Sequence, residues 1–463
     1  MNAKLDEFNQ NLLDKKVAVI GAGVSNIPLF EYLSNYGAKV TLFDKKNLSD
    51  LTEETLNIIN KYHINTSLGE DYLEKLVGFD IIFRSPSCLP TNKYLMEEQK
   101  RGAFITTEIE QVIKLAPCKI IGITGSKGKT TTTTITDILL RGLGINTYVG
   151  GNIGKPIFTK LNEIKESDVI ILELSSFQLM GMNVSPNISI ITNISPDHLD
   201  IHSSYDEYIN AKKSIFLNQS EKDTLVLNYD DEIVKGFVSD AKGKVKYFSK
   251  NKKINHSYIL DGNYIKYIDD DKEEIILDVK KINLRGKHNY LNICAALNAI
   301  DEYVQKDKIF DIIKDFGGVK HRLEFVREIN GVKWYNDSAS TTPDKANAGI
   351  MAFDEEITLI AGGYDKNLDY TPLAEKIVDH VHNLVLFGAT KNKIYDAVRA
   401  ETIKRNKEIN IYVMDTLEEV IEVAHQVSKP GSVVLFSPAS ASFDMFDNAY
   451  QRGDIFKELV NKI

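Results

Sequence analysis

The stretch from Ile120 to Thr134, IIGITGSKGKTTTTT, constrains the fold of this 463-residue chain more than any other. Its apolar beginning predicts a buried parallel strand, its middle a glycine turn, and its threonine-rich end a helix. A strand, a glycine loop and a helix in this order are typical of a phosphate-binding loop. In such a loop the main-chain N–H groups and the helix dipole both attract anions.

The loop also supplies groups that suit a nucleotide and its metal ion. Gly125 and Gly128 let the backbone approach phosphates closely, Lys129 adds a mobile cation, and the hydroxyl of Thr130 suits Mg2+. Ile123 stands where the longer GxxxxGKT pattern has its first glycine, so this loop is the shorter GxxGKT. The loop residues that we predict to bind ATP are Gly125, Ser126, Lys127, Gly128, Lys129, Thr130 and Thr131.

The composition is that of an ordinary globular protein, and the chain is long enough for about three domains. Apolar residues make up 43% and charged residues 26% of the chain. A net charge of -9 without a basic stripe argues against nucleic acid as the main partner. The polar start and the lack of a long apolar run predict a cytoplasmic protein without a membrane span. The scattered Cys88, Cys118 and Cys294 exclude a disulfide or zinc framework and are expected to be buried.

A second strand and glycine loop precede the phosphate loop. Lys16–Gly23 predicts a strand ending in glycines, Val24–Gly37 a helix, and Lys39–Asp44 a second strand. This resembles the opening of a dinucleotide-binding fold, although Asn26 stands where a third glycine is expected. We therefore predict a Rossmann-like domain whose first loop holds a nucleotide diphosphate. Asp44 either binds a ribose or uracil or simply ends its strand.

Apolar runs alternate with helical patterns through the rest of the chain, which predicts an α/β protein with parallel sheets. Turn signals within 224–231 and 244–278 indicate that these segments form a small antiparallel sheet beside the central one. Four apolar runs in the last third, 356–363, 383–390, 409–415 and 432–442, predict a further parallel sheet. The predicted domains are a Rossmann-like domain (1–107), a central P-loop ATPase domain (108–317) and a C-terminal Rossmann-like α/β domain (318–463).

Candidate metal ligands lie at the ends of predicted strands. Glu173 follows the apolar run Val169–Leu172, close to a core where a carboxylate needs a functional reason. Thr130, Glu173 and His198 therefore form a candidate site for a hard cation. In the predicted helix Tyr205–Leu217, one of the adjacent lysines Lys212 and Lys213 should face inwards and the other water; the bare sequence favours two solvated lysines.

A series of motifs in fixed order is similar to those of the Mur ligases and covers Lys16 to Gly453. The motifs are GSKGKTT, GGNIG, ELSSFQL, NISPDHLD, GKHNYLN, KHRLEFV, YNDSASTTP, AGGYDKN and SPASASFDMFDNAYQRG. The last motif and the Rossmann-like first domain point, within this family, to the member that adds D-glutamate to UDP-N-acetylmuramoyl-L-alanine in peptidoglycan precursor synthesis. The resemblance implies three domains, for the UDP-sugar, for ATP and for the amino acid, and an acyl-phosphate intermediate.

The resemblance also implies a role for individual residues. Thr130 and Glu173 would hold one Mg2+ ion, and His198 with a carbamylated Lys212 a second. Asn152 would touch the reacting carboxylate, beside Lys129 at the γ-phosphate. The residues expected to bind the nucleotide are Asn289, Asn292, Arg322 and Asp337, with domain closure bringing Arg322 to the phosphates. Those expected to bind the UDP part are Gly23, Val24, Ser25, Asp44, Lys45 and Ser85, and those for D-glutamate are Thr341, Lys366, Ser442 and Phe443. A monomer is expected.

Two positions depart from the family pattern. Ala339 stands where the family commonly has a lysine, and Ala449, followed by Tyr450, stands where it often has an aromatic residue. Three other functions agree with parts of the sequence. They are a ligase for a different amino acid, an NAD-dependent oxidoreductase built on Gly21, Gly23 and Asp44, and a nucleotide-binding module without catalysis. The oxidoreductase leaves the GKTT motif unexplained.

Overall fold

The computed structural model describes residues 2–198, 201–270 and 272–463. The chain forms two compact units. Unit one comprises Met1–Ile276 and Leu291–Ile309, and unit two comprises Leu277–Tyr290 and Phe310–Ile463.

Unit one begins with a five-stranded parallel sheet in the order β3-β2-β1-β4-β5. The predicted strands at Lys16 and Lys39 are confirmed. The helix between them begins only at Ile27 instead of Val24, with Pro28 in its first turn, where proline is favoured. The elements are α1 (Ala3–Gln10), β1 (Lys16–Ile20), α2 (Ile27–Asn35), β2 (Lys39–Asp44), α3 (Glu53–Tyr62), β3 (Asn65–Leu68), β4 (Ile81–Phe83), α4 (Lys93–Lys100), β5 (Phe104–Thr106) and α5 (Glu108–Leu115).

A six-stranded parallel sheet follows in unit one, in the order β11-β10-β9-β6-β8-β7. Its central strand β6 leads into the phosphate loop, so the loop lies at the carboxyl edge of the sheet, where ligands of open α/β sheets bind. The elements are β6 (Lys119–Thr124), α6 (Lys129–Gly142), β7 (Thr147–Gly151), β8 (Val169–Glu173), α7 (Ser176–Leu179), β9 (Ile188–Ile191), α8 (Tyr205–Lys213), β10 (Thr224–Asn228), α9 (Glu232–Gly236) and β11 (Lys244–Phe248).

The small antiparallel sheet is shorter than predicted. Strands β10 and β11, which the prediction assigned to it, pair in parallel with the central sheet. Helix α9 connects them, and a helical crossover is what two adjacent parallel strands require. The three-stranded sheet contains only β12 (Ser257–Asp261), β13 (Tyr264–Asp269) and β14 (Lys272–Asp278). Helices α10 (Lys287–Ala299) and α11 (Ile309–Ile313) come next in the chain.

Unit two contains a six-stranded sheet in the order β15-β16-β20-β17-β18-β19. The four predicted strands are confirmed as parallel β17 to β20, but the prediction missed the antiparallel hairpin of β15 and β16, which makes the sheet mixed. The elements are β15 (Glu324–Ile329), β16 (Val332–Asn336), α12 (Pro343–Ile350), β17 (Ile357–Gly362), α13 (Thr371–His380), β18 (Val381–Phe387), α14 (Lys391–Arg405), β19 (Asn410–Val413), α15 (Leu417–Val427), β20 (Val433–Phe436) and α16 (Ala449–Val460).

Each unit has its own apolar core. The largest core of unit one includes residues of both its parallel sheets, and helices cover both faces of the sheet in unit two. Cys88, Cys118 and Cys294 are buried free thiols, as predicted. Among the described residues, no helix is both long enough and apolar enough to cross a membrane.

Candidate active site at the phosphate loop

The glycines of the phosphate loop are required by the backbone and by close packing. Gly125 has φ +144° and Gly128 has φ +86°, a region that L side chains rarely adopt. A Cβ at Gly125 would overlap the hydroxyl of Thr192, and a Cβ at Gly128 would lie 2.8 Å from Oδ1 of Asn292. The loop is therefore packed between the segment after β9 and helix α10.

The segment after β9 fixes the loop by hydrogen bonds. The N–H of Ser126 donates to the carbonyl of Asn193 over 2.9 Å, and the N–H of Lys127 donates to Asn193 Oδ1 over 2.9 Å. Thr192 Oγ1 donates to the Lys127 carbonyl over 2.6 Å. The Ser126 hydroxyl accepts from the N–H of Ser195 over 2.9 Å. Asn193 and Thr192, which the prediction did not include, thus shape the loop from a neighbouring strand end.

Two lysines meet at one loop carbonyl. Lys129 Nζ donates to the carbonyl of Gly125 over 2.8 Å and to that of Ser126 over 3.0 Å. Lys212 Nζ donates to the same Gly125 carbonyl over 2.9 Å and is 1% exposed. Burial and the Lys129 charge lower the pKa of Lys212 to about 7. Lys212 therefore faces inwards, so the interpretation that the bare sequence favours, two solvated lysines, is wrong. Lys213 pairs with Asp240 at 2.6 Å.

A buried carboxylate stands beside the loop. Glu173 ends β8, which pairs with β6 at Ile123 and with β7 at Gly151. It is 1% exposed, and Asn152 Nδ2 donates to its Oε1 over 2.9 Å. Its Oε2 is buried without a hydrogen-bond partner. A buried acceptor without a partner costs free energy of folding, so we expect Oε2 to bind a cation or a hydrogen-bond donor.

His198 lies in the segment between β9 and α8 and is half exposed in its side chain, with φ +54°. Its ring meets that of Phe177 edge to face at 5.3 Å. The opposite neighbour of Phe177 is His202, stacked on it at 5.2 Å and hydrogen-bonded to Ser176 Oγ over 2.9 Å. The prediction missed Phe177 and His202. The available signals were the position of Phe177 within the motif ELSSFQL and a second histidine four residues after His198.

The predicted nucleotide asparagines lie on α10. Asn292 contacts the loop at Gly128, within unit one. Asn289 is buried, and its Nδ2 donates to the carbonyl of Arg285 over 2.6 Å, within unit two. Their three-residue spacing places both on one helical face.

The amino-terminal glycine loop is braced by its own side chains. Asp44 accepts the N–H of Ala22 over 2.7 Å and that of Lys46 over 2.8 Å. Asn26 is 4% exposed, and its Nδ2 donates to the carbonyls of Ile20 and Gly21 over 3.0 and 3.1 Å.

The other residues predicted for the UDP part lie around this loop. Gly23, Val24 and Lys45 are exposed, Ser25 is half-buried, and Ser85 lies 3.2 Å from where a Cβ at Gly21 would stand.

In unit two, Arg322 is exposed between two residues of left-handed conformation, His321 (φ +63°) and Leu323 (φ +47°). Asp337 accepts the N–H of Leu323 over 3.1 Å, and its other oxygen accepts from Ser340 and Ser437 over 2.6 and 2.8 Å. Burial raises the pKa of Asp337 to about 6. Asp337 therefore holds the turn that presents Arg322.

Of the residues predicted to bind the amino acid, Lys366 lies over the ring of Phe443 at 5.6 Å, Ser442 is buried and Thr341 is half-buried. The prediction missed Arg452. This fully buried side chain donates to the carbonyls of Ser338 and Ala441 over 2.9 Å each, which joins two strand ends of the sheet.

The parallel sheets and the GKT loop with its buried lysine and carboxylate define an α/β nucleotide-binding protein of the P-loop class. Residues 123–300 match the family model of the Mur ligase middle domain, and residues 321–440 match that of the Mur ligase glutamate ligase domain. The chain belongs to the Mur ligase family.

Relatives and solved structures agree with this assignment. The UDP-N-acetylmuramoylalanine–D-glutamate ligase of Clostridium acetobutylicum is 44% identical over all of both chains, and that of Clostridium tetani is 43% identical over the same coverage. The UDP-N-acetylmuramate–alanine ligase structure from Thermotoga maritima has a TM-score of 0.57 at 18% identity, covering 97% of this chain and 99% of that one. A pseudomurein peptide ligase from Methanothermus fervidus has a TM-score of 0.54 at 20% identity, covering 97% of this chain and 100% of that one. Both structures share the fold.

Proposed function

We propose that this chain is the ATP-dependent ligase that joins D-glutamate to UDP-N-acetylmuramoyl-L-alanine. An oxygen of the alanyl carboxylate attacks the γ-phosphorus, the bond to ADP breaks, and an acyl phosphate forms. The amine of D-glutamate then attacks the acyl carbon and loses a proton, and phosphate leaves as the amide forms. The products are ADP, phosphate and the extended UDP-sugar, a peptidoglycan precursor.

The observation that carries this proposal is the unpartnered Oε2 of Glu173 beside a GKT loop, in a chain that resembles D-glutamate ligases over its full length. Phosphoryl transfer depends on positioning and charge neutralisation. A carboxylate oxygen buried without a donor at the phosphate loop suits a metal ion that accompanies ATP.

The residues present fit Mg2+. Thr130 and Glu173 would hold one ion, and His198 with Lys212 a second. Lys212 fits this role because an amine with a pKa of about 7 is partly neutral at neutral pH and can take up CO2, losing a proton, to become an anionic carbamate. When bound, the metal neutralises phosphate charge.

The chain's own residues would do the remaining work. Lys129, which donates to the loop carbonyls of Gly125 and Ser126, would take up γ-phosphate charge. Asn152, already oriented by Glu173, would donate to the reacting carboxylate. The nucleotide would be bound by Gly125, Ser126, Lys127, Gly128, Thr130, Thr131, Asn289, Asn292, Arg322 and Asp337.

The substrate pockets and domains follow the same proposal. The UDP part would bind at Gly23, Val24, Ser25, Asp44, Lys45 and Ser85, and D-glutamate at Thr341, Lys366, Ser442 and Phe443. We assign binding of the UDP-sugar to residues 1–107, ATP binding to 108–317 and amino-acid binding to 318–463. We further propose a cytoplasmic monomer, without a nucleic-acid partner.

The test is phosphate release by purified protein with ATP, Mg2+ and UDP-N-acetylmuramoyl-L-alanine, using a panel of D- and L-amino acids. Release that depends on D-glutamate alone supports the proposal. Release with another amino acid instead supports the ligase reaction but contradicts D-glutamate as the substrate. No release with any amino acid contradicts the proposal.

A further inference from the structure

A buried glutamate lies outside the site described above and has no role assigned to it so far. Glu108, the first residue of α5, is 4% exposed. Its Oε1 accepts the N–H of Phe158 over 2.9 Å and that of Ile157 over 3.2 Å. Burial raises the pKa of Glu108 to about 7, although these two hydrogen bonds act to lower it. A carboxylate kept in such surroundings needs a reason.

The segment that Glu108 holds ends the loop of the predicted catalytic asparagine. Asn152 follows β7, and its N–H donates to the Glu173 carbonyl over 2.8 Å while its Nδ2 donates to Glu173 Oε1. The chain then turns, and after a few residues Ile157 and Phe158 reach the carboxylate of Glu108. The loop is therefore tied to Glu173 at its start and to Glu108 at its end.

The loop between these two ties is tightly folded. A Cβ at Gly151 would overlap the carbonyl of Glu173, and one at Gly154 would overlap that of Val149. Lys155 N–H donates to the Val149 carbonyl over 3.4 Å. Although Asn152, Gly154 and Lys155 are exposed, the loop is short and its backbone lies against Val149 and Glu173, so we expect a shift at its end to reach Asn152.

The anchor itself is rigid. The ring of Phe158 packs edge to face against Tyr32 at 5.0 Å and Phe8 at 5.8 Å. At the start of α5, Thr107 and Glu110 form a capping box, and Glu110 Oε1 also accepts the N–H of Asn183 over 3.3 Å. Glu108 thus stands on a helix that is fixed at its amino terminus, within unit one.

We infer that Glu108 is a positioning residue, whose carboxylate fixes the loop 152–158 so that Asn152 stays hydrogen-bonded to Glu173 beside the phosphate loop. This role rests on the proposed function, because it gives Asn152 its importance. Misplacement of a positioned group by about 1 Å can cost on the order of 100-fold in rate.

The chain contains a matched control. Glu98 on α4 is also fully buried, and its Oε2 likewise accepts two successive main-chain N–H groups, those of Gly78 at 2.7 Å and Phe79 at 3.2 Å. These residues precede β4, so they lie at the edge of the amino-terminal sheet opposite to its ligand edge. Glu98 Oε1 also pairs with Arg101 at 2.6 Å. Glu98 is therefore a control for a buried glutamate that accepts two main-chain N–H groups away from the Asn152 loop.

The experiment compares Glu108→Asp, Glu108→Gln and Glu98→Asp by amide hydrogen exchange of residues 152–158 and by kcat and KM for each substrate. The shorter Asp cannot reach both N–H groups, so we expect faster exchange in this segment and a kcat lower by about tenfold or more. The Gln carbonyl keeps the length and the acceptor, so its exchange and kcat should stay within about threefold of the original protein. Glu98→Asp should lower the melting temperature but keep kcat.

Three results would overturn the inference: unchanged exchange in Glu108→Asp, faster exchange without a fall in kcat, or an equal fall in kcat in Glu98→Asp. Hydrogen exchange needs no turnover, so it tests the hold on the loop even if the original protein releases no phosphate with D-glutamate. That last result would contradict the proposed function instead.

Discussion

Unit one contains two glycine loops built on the same plan, and they differ in what fills them. Both follow a parallel strand, β1 or β6, and both precede a helix. In the amino-terminal loop, the side chains of Asp44 and Asn26 bind the loop's own main chain. In the phosphate loop, Lys129 and Lys212 converge on one carbonyl and a carboxylate oxygen of Glu173 is left without a donor.

The same strand–loop–helix motif therefore suits ligand binding in one place and chemistry in the other. The amino-terminal loop is satisfied internally and presents exposed main chain at Gly23 and Val24, which suits passive binding of a polar ligand. Beside the phosphate loop, the charged groups of Lys212 and Glu173 are buried, and Glu173 Oε2 has no hydrogen-bond partner. Such groups are typical of catalytic sites. Changes in the phosphate loop should therefore affect turnover, and changes in the amino-terminal loop should affect substrate affinity.

The largest effect is expected from Lys129→Ala. Removing the cation that neutralises phosphate charge should lower phosphate release by at least about 100-fold. The melting temperature should stay close to that of the original protein, because the side chain is only half-buried. Steady-state phosphate release and thermal unfolding measure the two properties. Surviving activity would remove the distinction between the two loops.

Glu173→Gln should separate activity from stability. The amide keeps an acceptor for Asn152 but loses the negative charge, so turnover should fall by about 100-fold. The substitution also removes a buried negative charge whose Oε2 has no donor, so the melting temperature should stay equal or rise. A lower melting temperature together with full activity would show that Glu173 serves packing alone.

Lys212→Ala should lower turnover by at least about tenfold. Lys213→Ala provides the control, because Lys213 pairs with Asp240 and lies over the ring of Phe237 instead of contacting the phosphate loop. Added short carboxylates should restore part of the Lys212→Ala activity if a carbamate is the active form. Lack of rescue in a folded protein would assign Lys212 to its hydrogen bond with Gly125 instead.

Asp44→Asn tests the amino-terminal loop. The Asn side chain has one oxygen and one NH2 group, so the N–H of either Ala22 or Lys46 would lose its acceptor. We expect this loss to loosen the turn around Ala22. We expect KM for the UDP-sugar to rise by about tenfold, with kcat and KM for ATP little changed. A fall in kcat at saturating UDP-sugar would contradict passive binding by this loop.

The smallest effect concerns pH. The folded-state pKa of Glu108 is raised to about 7, whereas an unfolded glutamate titrates near 4.3. The stability that this group contributes is therefore fully present below about pH 4 and is lost as pH rises through 7. Between pH 5 and 8 the melting temperature of Glu108→Gln should fall less than that of the original protein. Parallel curves would contradict the raised pKa.

Local patterns predicted much of the fold and part of the site. The strands at Lys16, Lys39, Lys119 and Val169, and the glycine loops after two of them, follow from neighbouring residues in the chain. The predicted assignment of β10 and β11 to the antiparallel sheet was wrong, because turn residues do not show which strand a segment pairs with. The hairpin of β15 and β16 was missed because polar residues interrupt its apolar pattern.

The phosphate loop and the α/β class can be predicted from the sequence alone. The sequence does not show whether Lys212 or Lys213 faces inwards. Backbone preferences of glycine and the periodicity of apolar residues act over short distances, so they can be read along the chain. The three-dimensional structure is needed to show that Lys212 contacts Gly125, that Asn152 contacts Glu173, and that Glu108 binds the end of the Asn152 loop. These contacts join residues far apart in the chain, and their formation depends on how the strands are ordered in the sheet.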